Sequence, residues 1–270
     1  MQGSVVRRHR IAPGAMTASA VAALFVDEFD RDAPLVSIPR PEIQLVVRFG
    51  PSAARGLDIH AFGARERAHR KVIRAGQRAV TARLHLGAHE AVLGAPASAL
   101  AGRIIALEDL WGDAATRRLL DRLAAARDAI EAVAIVERAI AERLRSIGPR
   151  APLPDLAREA AARLASATVS DVAIDLGVSE RHLRRVFRDA FGLSPKAFGR
   201  LARFHRALRA ARADRPANWA RIAAAAGYYD QSHLIEDFRA IAGATPRALV
   251  DELGAGGRSE SRRHATSFTR

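Results

Sequence analysis

The residues with the clearest chemical potential are four arginines at helical spacing in the C-terminal half: Arg181, Arg184, Arg185 and Arg188. Side chains three and four residues apart lie on one face of an α-helix, so the four guanidinium groups are predicted to share a face. A guanidinium presents a planar fork of donors that fits phosphate oxygens or the O6 and N7 atoms of guanine. A solvated charged face is the ordinary alternative for such a run of charges.

The elements around these arginines are those of a helix-turn-helix unit. Ser179 is a residue type that caps helix N-termini, and Gly177 suits the positive φ of a tight turn after the short helix SDVAIDL. An apolar stripe occupies another face of the arginine helix: Leu183, Val186, Phe187 and Ala190. Four cations on the second helix of such a unit favour insertion into a DNA major groove over a merely solvated face.

The same pattern occurs a second time in the C-terminal half, with one extra residue in its turn. Val172, Gly177, Leu183, Phe187, Gly192 and Pro195 correspond to Ile222, Gly227, Leu234, Phe238, Gly243 and Pro246. Gly227 is predicted to form the second turn and Asp230 to cap the second recognition helix. Thr168 or Ser170 is the expected cap of the helix before the first turn, and Asn218 that of the helix before the second. A single helix over 194–213 is predicted to join the two units.

The stretch from about Pro154 to Asp251 resembles the DNA-binding domain of AraC/XylS-type transcriptional regulators. The segments that carry the resemblance are AIDLGVSERHLRRVFRDAFGLSPKAF and AAAAGYYDQSHLIEDFRAIAGATPRAL, and it covers a little over a third of the chain. It implies a sequence-specific regulator with two helix-turn-helix units, in which Arg181, Arg184 and Arg185 face bases. In the second recognition helix it implies these base-facing residues: Gln231, Ser232, His233, Ile235 and Glu236.

The second recognition helix departs from the family pattern at Glu236, where the family usually has arginine. A carboxylate can accept a hydrogen bond from cytosine N4, but it repels phosphate. The first unit is therefore expected to dominate the affinity for DNA.

Charge and composition agree with a nucleic-acid partner. The chain of 270 residues has a formal net charge of +14, and all of its 43 basic residues except Lys71 and Lys196 are arginines. There is no cysteine, which excludes disulfides, thiolate metal sites and cysteine nucleophiles. No apolar run reaches the ~18–20 residues of a membrane span and the first residues do not form a convincing signal peptide, so a cytoplasmic location is expected.

The N-terminal half is predicted to be a small β-rich domain, which makes the chain an α+β protein with an all-α C-terminal domain. Short β-rich segments such as IQLVVRF and LDIHAF predict a sheet over about 35–94, and apolar spacings of three and four predict helices over 113–147. A short helix is considered for 18–29. We place the domains at 1–148 and 154–253, with a linker over 149–153 and a disordered basic tail over 254–270.

The N-terminal half resembles, less closely, the sensor-like domains that precede such DNA-binding modules. The resemblance implies a small-molecule effector, a homodimer, or both, and RNA polymerase as a partner if the protein activates transcription. The alternative is a regulator whose N-terminal domain only dimerises. An apolar cavity with a few convergent polar groups would favour the effector, whereas a filled core would favour the alternative.

Four histidines raise the question of a metal site: His60, His69, His85 and His89. Their spacing contains no HxH pair and acidic partners are sparse nearby, so ordinary surface or core histidines are favoured. No phosphate-binding glycine loop, nucleophile elbow or paired-carboxylate arrangement is present. Neither an enzyme nor a cofactor is therefore expected.

Overall fold

The structure is a computed structural model that describes residues 6–147, 153–213, 216–255 and 258–262. Nine strands and twelve α-helices occur in these ranges, with the strands concentrated before residue 107 and helices occupying most of the remainder. The predicted α+β class is therefore confirmed. The break predicted around Gly148 to Pro152 lies outside the described residues.

A seven-stranded sheet and a two-stranded sheet form the N-terminal half. The strands are β1 (Val6–Ile11), β2 (Val21–Phe29), β3 (Ala33–Ser37), β4 (Gln44–Phe49), β5 (Leu57–Phe62), β6 (His69–Ile73), β7 (Arg78–Leu84), β8 (Ile104–Ala106) and β9 (Arg258–Arg262). The larger sheet has the order β8-β5-β4-β7-β2-β1-β9, and β3 pairs with β6. All pairs are antiparallel except β1 with β9.

Five helices follow or interrupt the sheet, and seven more belong to the C-terminal half. The first five are α1 (His89–Leu93), α2 (Ala97–Leu100), α3 (Glu108–Trp111), α4 (Asp113–Ala124) and α5 (Ala129–Ile147). The others are α6 (Asp155–Arg163), α7 (Val169–Asp175), α8 (Glu180–Phe191), α9 (Pro195–Ala213), α10 (Trp219–Ala226), α11 (Gln231–Ala242) and α12 (Pro246–Ala255). The helices predicted over 113–147 correspond to α4 and α5.

The sheet is larger than the 35–94 predicted, and the helix considered for 18–29 is wrong. Residues 21–29 form β2, which pairs with β1 on one side and β7 on the other. The short alanine-rich segment fits either structure locally, and the two neighbouring strands decide between them. At the other limit, residues 89–93 form a helix rather than part of the sheet.

Within 254–270, where disorder was predicted, the described residues belong to a helix and a strand. Helix α12 continues to Ala255, and Arg258–Arg262 pairs in parallel with β1. The edge of a sheet offers unpaired backbone groups to any chain segment, whatever its side chains, so a composition argument misses this pairing. Residues 256–257 and 263–270 lie outside the described residues.

One face of the large sheet packs against α4 and α5. Alternate residues of β7, namely Val80, Ala82 and Leu84, are buried there, together with Val136 and Ile140 of α5. This alternation follows the two-residue period of a strand. The opposite face of the same strands is turned toward the C-terminal half.

A second core surrounds α9, α10, α11 and α12, and it includes Val36 and Ala64 from the N-terminal half. A third surrounds α6, α7 and α8, and Phe198 of α9 belongs to it. The N-terminal half therefore shares apolar packing with the helical half, and α9 belongs to both C-terminal cores.

Gly63 lies where the end of β5 meets the end of α2. A Cβ atom at this position would lie 1.7 Å from the carbonyl oxygen of Leu100, and the Gly63 N–H donates to Arg103 O at 3.0 Å. We predict that Gly63→Ala destabilises the protein by ~1–3 kcal/mol, because the two backbones must separate. Urea unfolding of the full chain would measure the loss.

Gly14→Ala is the matched control, since its Cβ would meet only the Glu137 carboxylate at 3.6 Å. Its effect should stay within ~0.5 kcal/mol. Equal stability of the two variants would contradict the close approach at Gly63.

Candidate nucleic-acid interface

The first unit begins at α7, whose N-terminus is held by a capping box. Thr168 Oγ1 accepts from the N–H of Asp171, and the Asp171 carboxylate accepts from the N–H of Thr168. Of the two caps considered, the structure therefore selects Thr168 over Ser170. Gly177 then turns the chain with φ 64°, a left-handed conformation that a residue with a Cβ rarely adopts.

Helix α8 starts at the Ser179 cap, where Ser179 Oγ accepts from the N–H of His182 at 3.2 Å. Leu183, Phe187 and Phe191 are buried on one side of this helix. The structure places all four arginines of the predicted face in exposed positions on the same helix: Arg181, Arg184, Arg185 and Arg188. We call this set the arginine face.

Two members of the arginine face have partners on their own helix. Arg184 forms an ion pair with Glu180, one turn earlier, and Arg185 Nη2 lies 3.2 Å from His182 Nδ1. Exposed ion pairs of this kind contribute only ~0.3–0.5 kcal/mol, so a phosphate or a guanine edge can replace Glu180 at small cost. The arginine face is thus preorganised and remains available to an anionic surface.

The second unit repeats this local geometry. Asn218 Oδ1 accepts from the N–H of Arg221 at 3.0 Å, Gly227 turns the chain with φ 82°, and Asp230 Oδ1 accepts from the N–H of His233 at 2.8 Å. In α11, Gln231, Ser232, His233 and Glu236 are exposed. Ile235 is half-buried and packs against the second core, so it presents less surface than the other four.

The two tyrosines of the second turn have opposite environments. Tyr228 is only 5% exposed, and its ring meets the His233 ring edge-on at 5.3 Å, whereas Tyr229 is 94% exposed. Burial raises the pKa of Tyr228, with a further contribution from the charge of Asp237. Tyr228 therefore packs against α11, whereas Tyr229 projects into solvent at the turn before α11.

Helix α9 contacts both recognition helices. The Phe198 ring lies 5.2 Å from that of Phe187 on α8, and Arg200 Nε donates to Asp237 Oδ1 on α11 at 2.6 Å. Asp237 is 6% exposed. The helix over 194–213 was predicted from sequence, but the Arg200–Asp237 pair was not. In the repeat, Asp237 corresponds to Val186 of the apolar stripe on α8. A carboxylate at such a position was the sequence signal that could have revealed the pair.

The N-terminal half contacts the C-terminal ends of both recognition helices. At α8, a Cβ on Gly192 would lie 2.6 Å from Ala97 O, so only a glycine permits this approach. At α11, the N–H of Ala68 donates to Ile241 O at 2.7 Å, and Arg70 Nη1 donates to Ala242 O at 2.7 Å. Helix α9 is fixed to the same half because His205 Nε2 lies 2.7 Å from Pro39 O.

A cavity of about 280 Å³ lies between the large sheet and α9. Residues of β2, β4 and β7 that alternate with the buried core positions line one wall, including Phe25, Val46 and Thr81. His205 and Leu208 of α9 line the other. Burial, together with the charges of Arg40 and Arg209, lowers the pKa of His205 to about 4, so this imidazole is neutral at pH 7 and its Nε2–H donates to Pro39.

The four histidines considered for a metal do not come together. Among the described residues, no group of three or more metal-ligating side chains is arranged to hold an ion. His60 Nδ1 lies 3.3 Å from Asp58 Oδ1, and His89 is buried in α1, where burial lowers its pKa. No helix in the described ranges is long and apolar enough to cross a membrane.

The geometry of residues 168–252 agrees with the comparison with protein families. Residues 172–252 match a family described as "Helix-turn-helix domain". The C-terminal part of the chain is a helix-turn-helix domain. This match confirms the resemblance to the AraC/XylS-type DNA-binding domain and supports a DNA-binding regulator of transcription.

Three solved structures illustrate the similarity of the helix-turn-helix domain and of the longer chain. The C-terminal domain of AraT, a response regulator from Geobacillus stearothermophilus, is 20% identical, covering 44% of this chain and 95% of its own, with a TM-score of 0.36. A DNA-binding transcriptional dual regulator from Escherichia coli K-12 is 23% identical, covering 36% of this chain and 97% of its own, with a TM-score of 0.31. ToxT from Vibrio cholerae O395 is 9% identical, covering 92% of this chain and 97% of its own, with a TM-score of 0.42. The comparison with curated proteins finds no match.

The capping box of α7 leads to a stability prediction. Thr168→Ala should cost ~1 kcal/mol, because the N–H of Asp171 loses its acceptor at the helix start. Ser170→Ala is the control: Ser170 is exposed inside α7, where alanine is the better helix former. Chemical unfolding should show a loss for Thr168→Ala alone, and a larger loss for Ser170→Ala would contradict the assigned cap.

Proposed function

We propose that this protein is an effector-responsive transcriptional regulator that inserts α8 and α11 into successive major grooves of one DNA site. The observation that carries the proposal is the arginine face, exposed on a capped helix whose other side is buried in the third core. Arg181, Arg184 and Arg185 are proposed to contact bases, and Arg188 to contact bases or the adjacent phosphates.

The two units are proposed to contribute unequally. The proposed base-facing residues of α11 contain no arginine, and Glu236 is exposed among them. A carboxylate near the phosphate backbone opposes binding, so α8 supplies most of the affinity and α11 adds contacts through Gln231, Ser232 and His233. The half-buried Ile235 is suited to a single apolar contact, such as a thymine methyl group.

The spacing of the units supports binding to one side of the DNA. Helix α9 has 19 residues, which corresponds to about 28 Å at ~1.5 Å per residue. Successive major grooves on one side of B-DNA are separated by about 34 Å. Because the units are tandem copies on one chain, they meet the two grooves in the same orientation and need no palindrome.

Effector responsiveness is supported by the cavity between the sheet and α9. The N-terminal core that faces α4 and α5 is filled, but the opposite face of the sheet borders about 280 Å³ of space with both apolar and polar lining residues. A dimerisation-only domain has no need for such a cavity next to the helix that joins the two units. Homodimer formation remains compatible with this proposal.

The arginine face leads to a prediction about specificity. Arg185→Ala should weaken binding to the preferred site by ~1–3 kcal/mol and relax the choice of base at one position, because a bidentate contact is lost. Selection from randomised duplexes, followed by titration at constant salt, would measure both effects.

Arg118→Ala is the matched control for Arg185→Ala, since it removes the same charge from an exposed position on α4. It should leave the preferred sequence unchanged. If Arg185→Ala weakens binding to every sequence equally, Arg185 contacts phosphate rather than a base.

The tandem arrangement leads to a second prediction. Methylation interference on the selected site should show two clusters about ten base pairs apart, one for each recognition helix. Glu236→Gln should strengthen binding and intensify the weaker cluster, since it removes a charge that repels phosphate. A single cluster in both proteins would limit base contacts to α8, and a palindrome within a monomer-sized site would contradict the tandem arrangement.

A further inference from the structure

The cavity between the sheet and α9 has a strong excess of positive charge. Asp27 is the only carboxylate among its lining residues, and it is already bound by Arg8. Arg48 also lines the cavity and is bound to Asp58. Six other basic side chains line it: Arg40, Arg65, Lys71, Arg83, Arg209 and Arg212. Within the described residues, none of these six has an ion pair within 4.0 Å.

Three of these cations come from separate elements and act on one another. Burial and the charges of Arg83 and Arg209, only partly offset by Glu42, lower the pKa of Arg40. Arg83 belongs to β7 and Arg209 to α9, whereas Arg40 follows β3. Arg83 Nε is buried without a hydrogen-bond partner among the described residues. Arg40 and Arg83 are half-buried and Arg209 is exposed. Holding these like charges near one another without ion pairs costs free energy, which a bound anion would recover.

The rest of the lining is largely apolar. Phe25, Ile38, Phe62 and Leu208 border the cavity, and the Arg83 guanidinium lies 5.3 Å from the centre of the Phe25 ring. The volume of about 280 Å³ is near the lower end of the ~300–1,000 Å³ typical of small-molecule sites. A small body of one ring or a short chain fits this space better than a hydrated inorganic ion.

We infer that this cavity binds a small organic anion, an apolar body with one carboxylate or phosphate group, and that Arg40, Arg83 and Arg209 hold the charged group. Guanidinium groups suit both anions because their paired N–H donors match two oxygens. Phe25 and Leu208 enclose the apolar body.

The anion regulates DNA binding through α9, and this part of the inference rests on the proposed function. An anion held by Arg83 of the sheet and Arg209 of α9 ties the two together. Because α9 also packs against Phe187 of α8 and binds Asp237 of α11, a shift of α9 moves the recognition helices relative to the N-terminal half, which contacts their C-terminal ends. A ligand that favours one placement changes DNA affinity by its differential binding, commonly 5- to 150-fold.

The test uses the full chain and three probes that share a body: phenylacetate, phenyl phosphate and the neutral 2-phenylethanol. Calorimetric titration should show saturable binding of at least one anion and much weaker binding of the alcohol. Arg83→Gln and Arg209→Ala should each weaken the anion roughly tenfold or more. Arg138→Ala removes an exposed charge from α5, on the other side of the sheet, and should leave anion binding unchanged.

Each result has a defined meaning. The relative affinities of phenylacetate and phenyl phosphate identify the preferred charged group. Equal binding of the alcohol, equal binding of inorganic phosphate alone, or no binding of either organic anion would overturn the inference. Circular dichroism identifies any variant that fails to fold. Arg209→Ala is the variant least at risk of misfolding, because Arg209 is exposed.

DNA titrations with and without the bound anion separate this inference from the proposed function. A change in operator affinity that Arg209→Ala abolishes supports regulation through α9. Anion binding with unchanged operator affinity retains the site and overturns the regulation. If the chain binds no DNA specifically, with or without the anion, the proposed function is overturned. The measured anion binding then still decides whether the cavity is a ligand site.

Discussion

The burial of α9 is the constraint on which the rest of the structure depends. One side of this helix belongs to two apolar cores, through Phe198 in one and Leu201 and Phe204 in the other. The Arg200–Asp237 pair also orients α11, since a charge-assisted hydrogen bond to a buried carboxylate sets both the rotation of α11 about its axis and its distance from α9. The two recognition helices therefore have no independent positions: each is defined relative to α9, and the N-terminal half is in turn fixed to α9 through His205 and Pro39.

The large sheet divides its two faces between packing and polar chemistry. On β7, Val80 and Ala82 face the filled core, whereas Thr81 and Arg83 face the cavity. A strand can do both because its side chains alternate, and the sheet needs only one apolar face to be stable once α4 and α5 cover it. The second face can then carry half-buried cations such as Arg83, because the apolar packing on the first face offsets the free energy that their desolvation costs. The position of the cavity follows from this division, since the charged face must meet another element and that element is α9.

The sequence predicted the helical half better than the sheet, for physical reasons. Helix ends are specified locally: Ser179, Asp230 and Gly227 act on backbone groups three or four residues away, so their roles can be recognised without knowing the fold. A strand is specified by its neighbours, and β2 could not be assigned before β1 and β7 were known to pair with it. The cavity is harder still to predict from sequence, because Arg40, Arg83 and Arg209 come from distant parts of the chain. The repeat revealed the two units, but the pair that joins α11 to α9 required the folded structure.

The chain has a formal charge of +14, but the positions of its arginines matter more for DNA binding than their number. Several arginines are bound to other groups of the protein: Arg206 Nη2 donates to Ala165 O at 2.6 Å, Arg70 binds Glu252 and Ala242 O, and Arg48 binds Asp58. These side chains add to the net charge, but their donors are already engaged by groups of the protein. The arginine face differs because its charges lie together, are exposed and stand on a helix whose backbone is held at the Ser179 cap. Net charge steers the protein toward DNA at long range, where individual positions are not resolved. The proposed recognition of a base needs a guanidinium in a well-defined position, and the positions of the arginine face depend on the packing of α8 against α9.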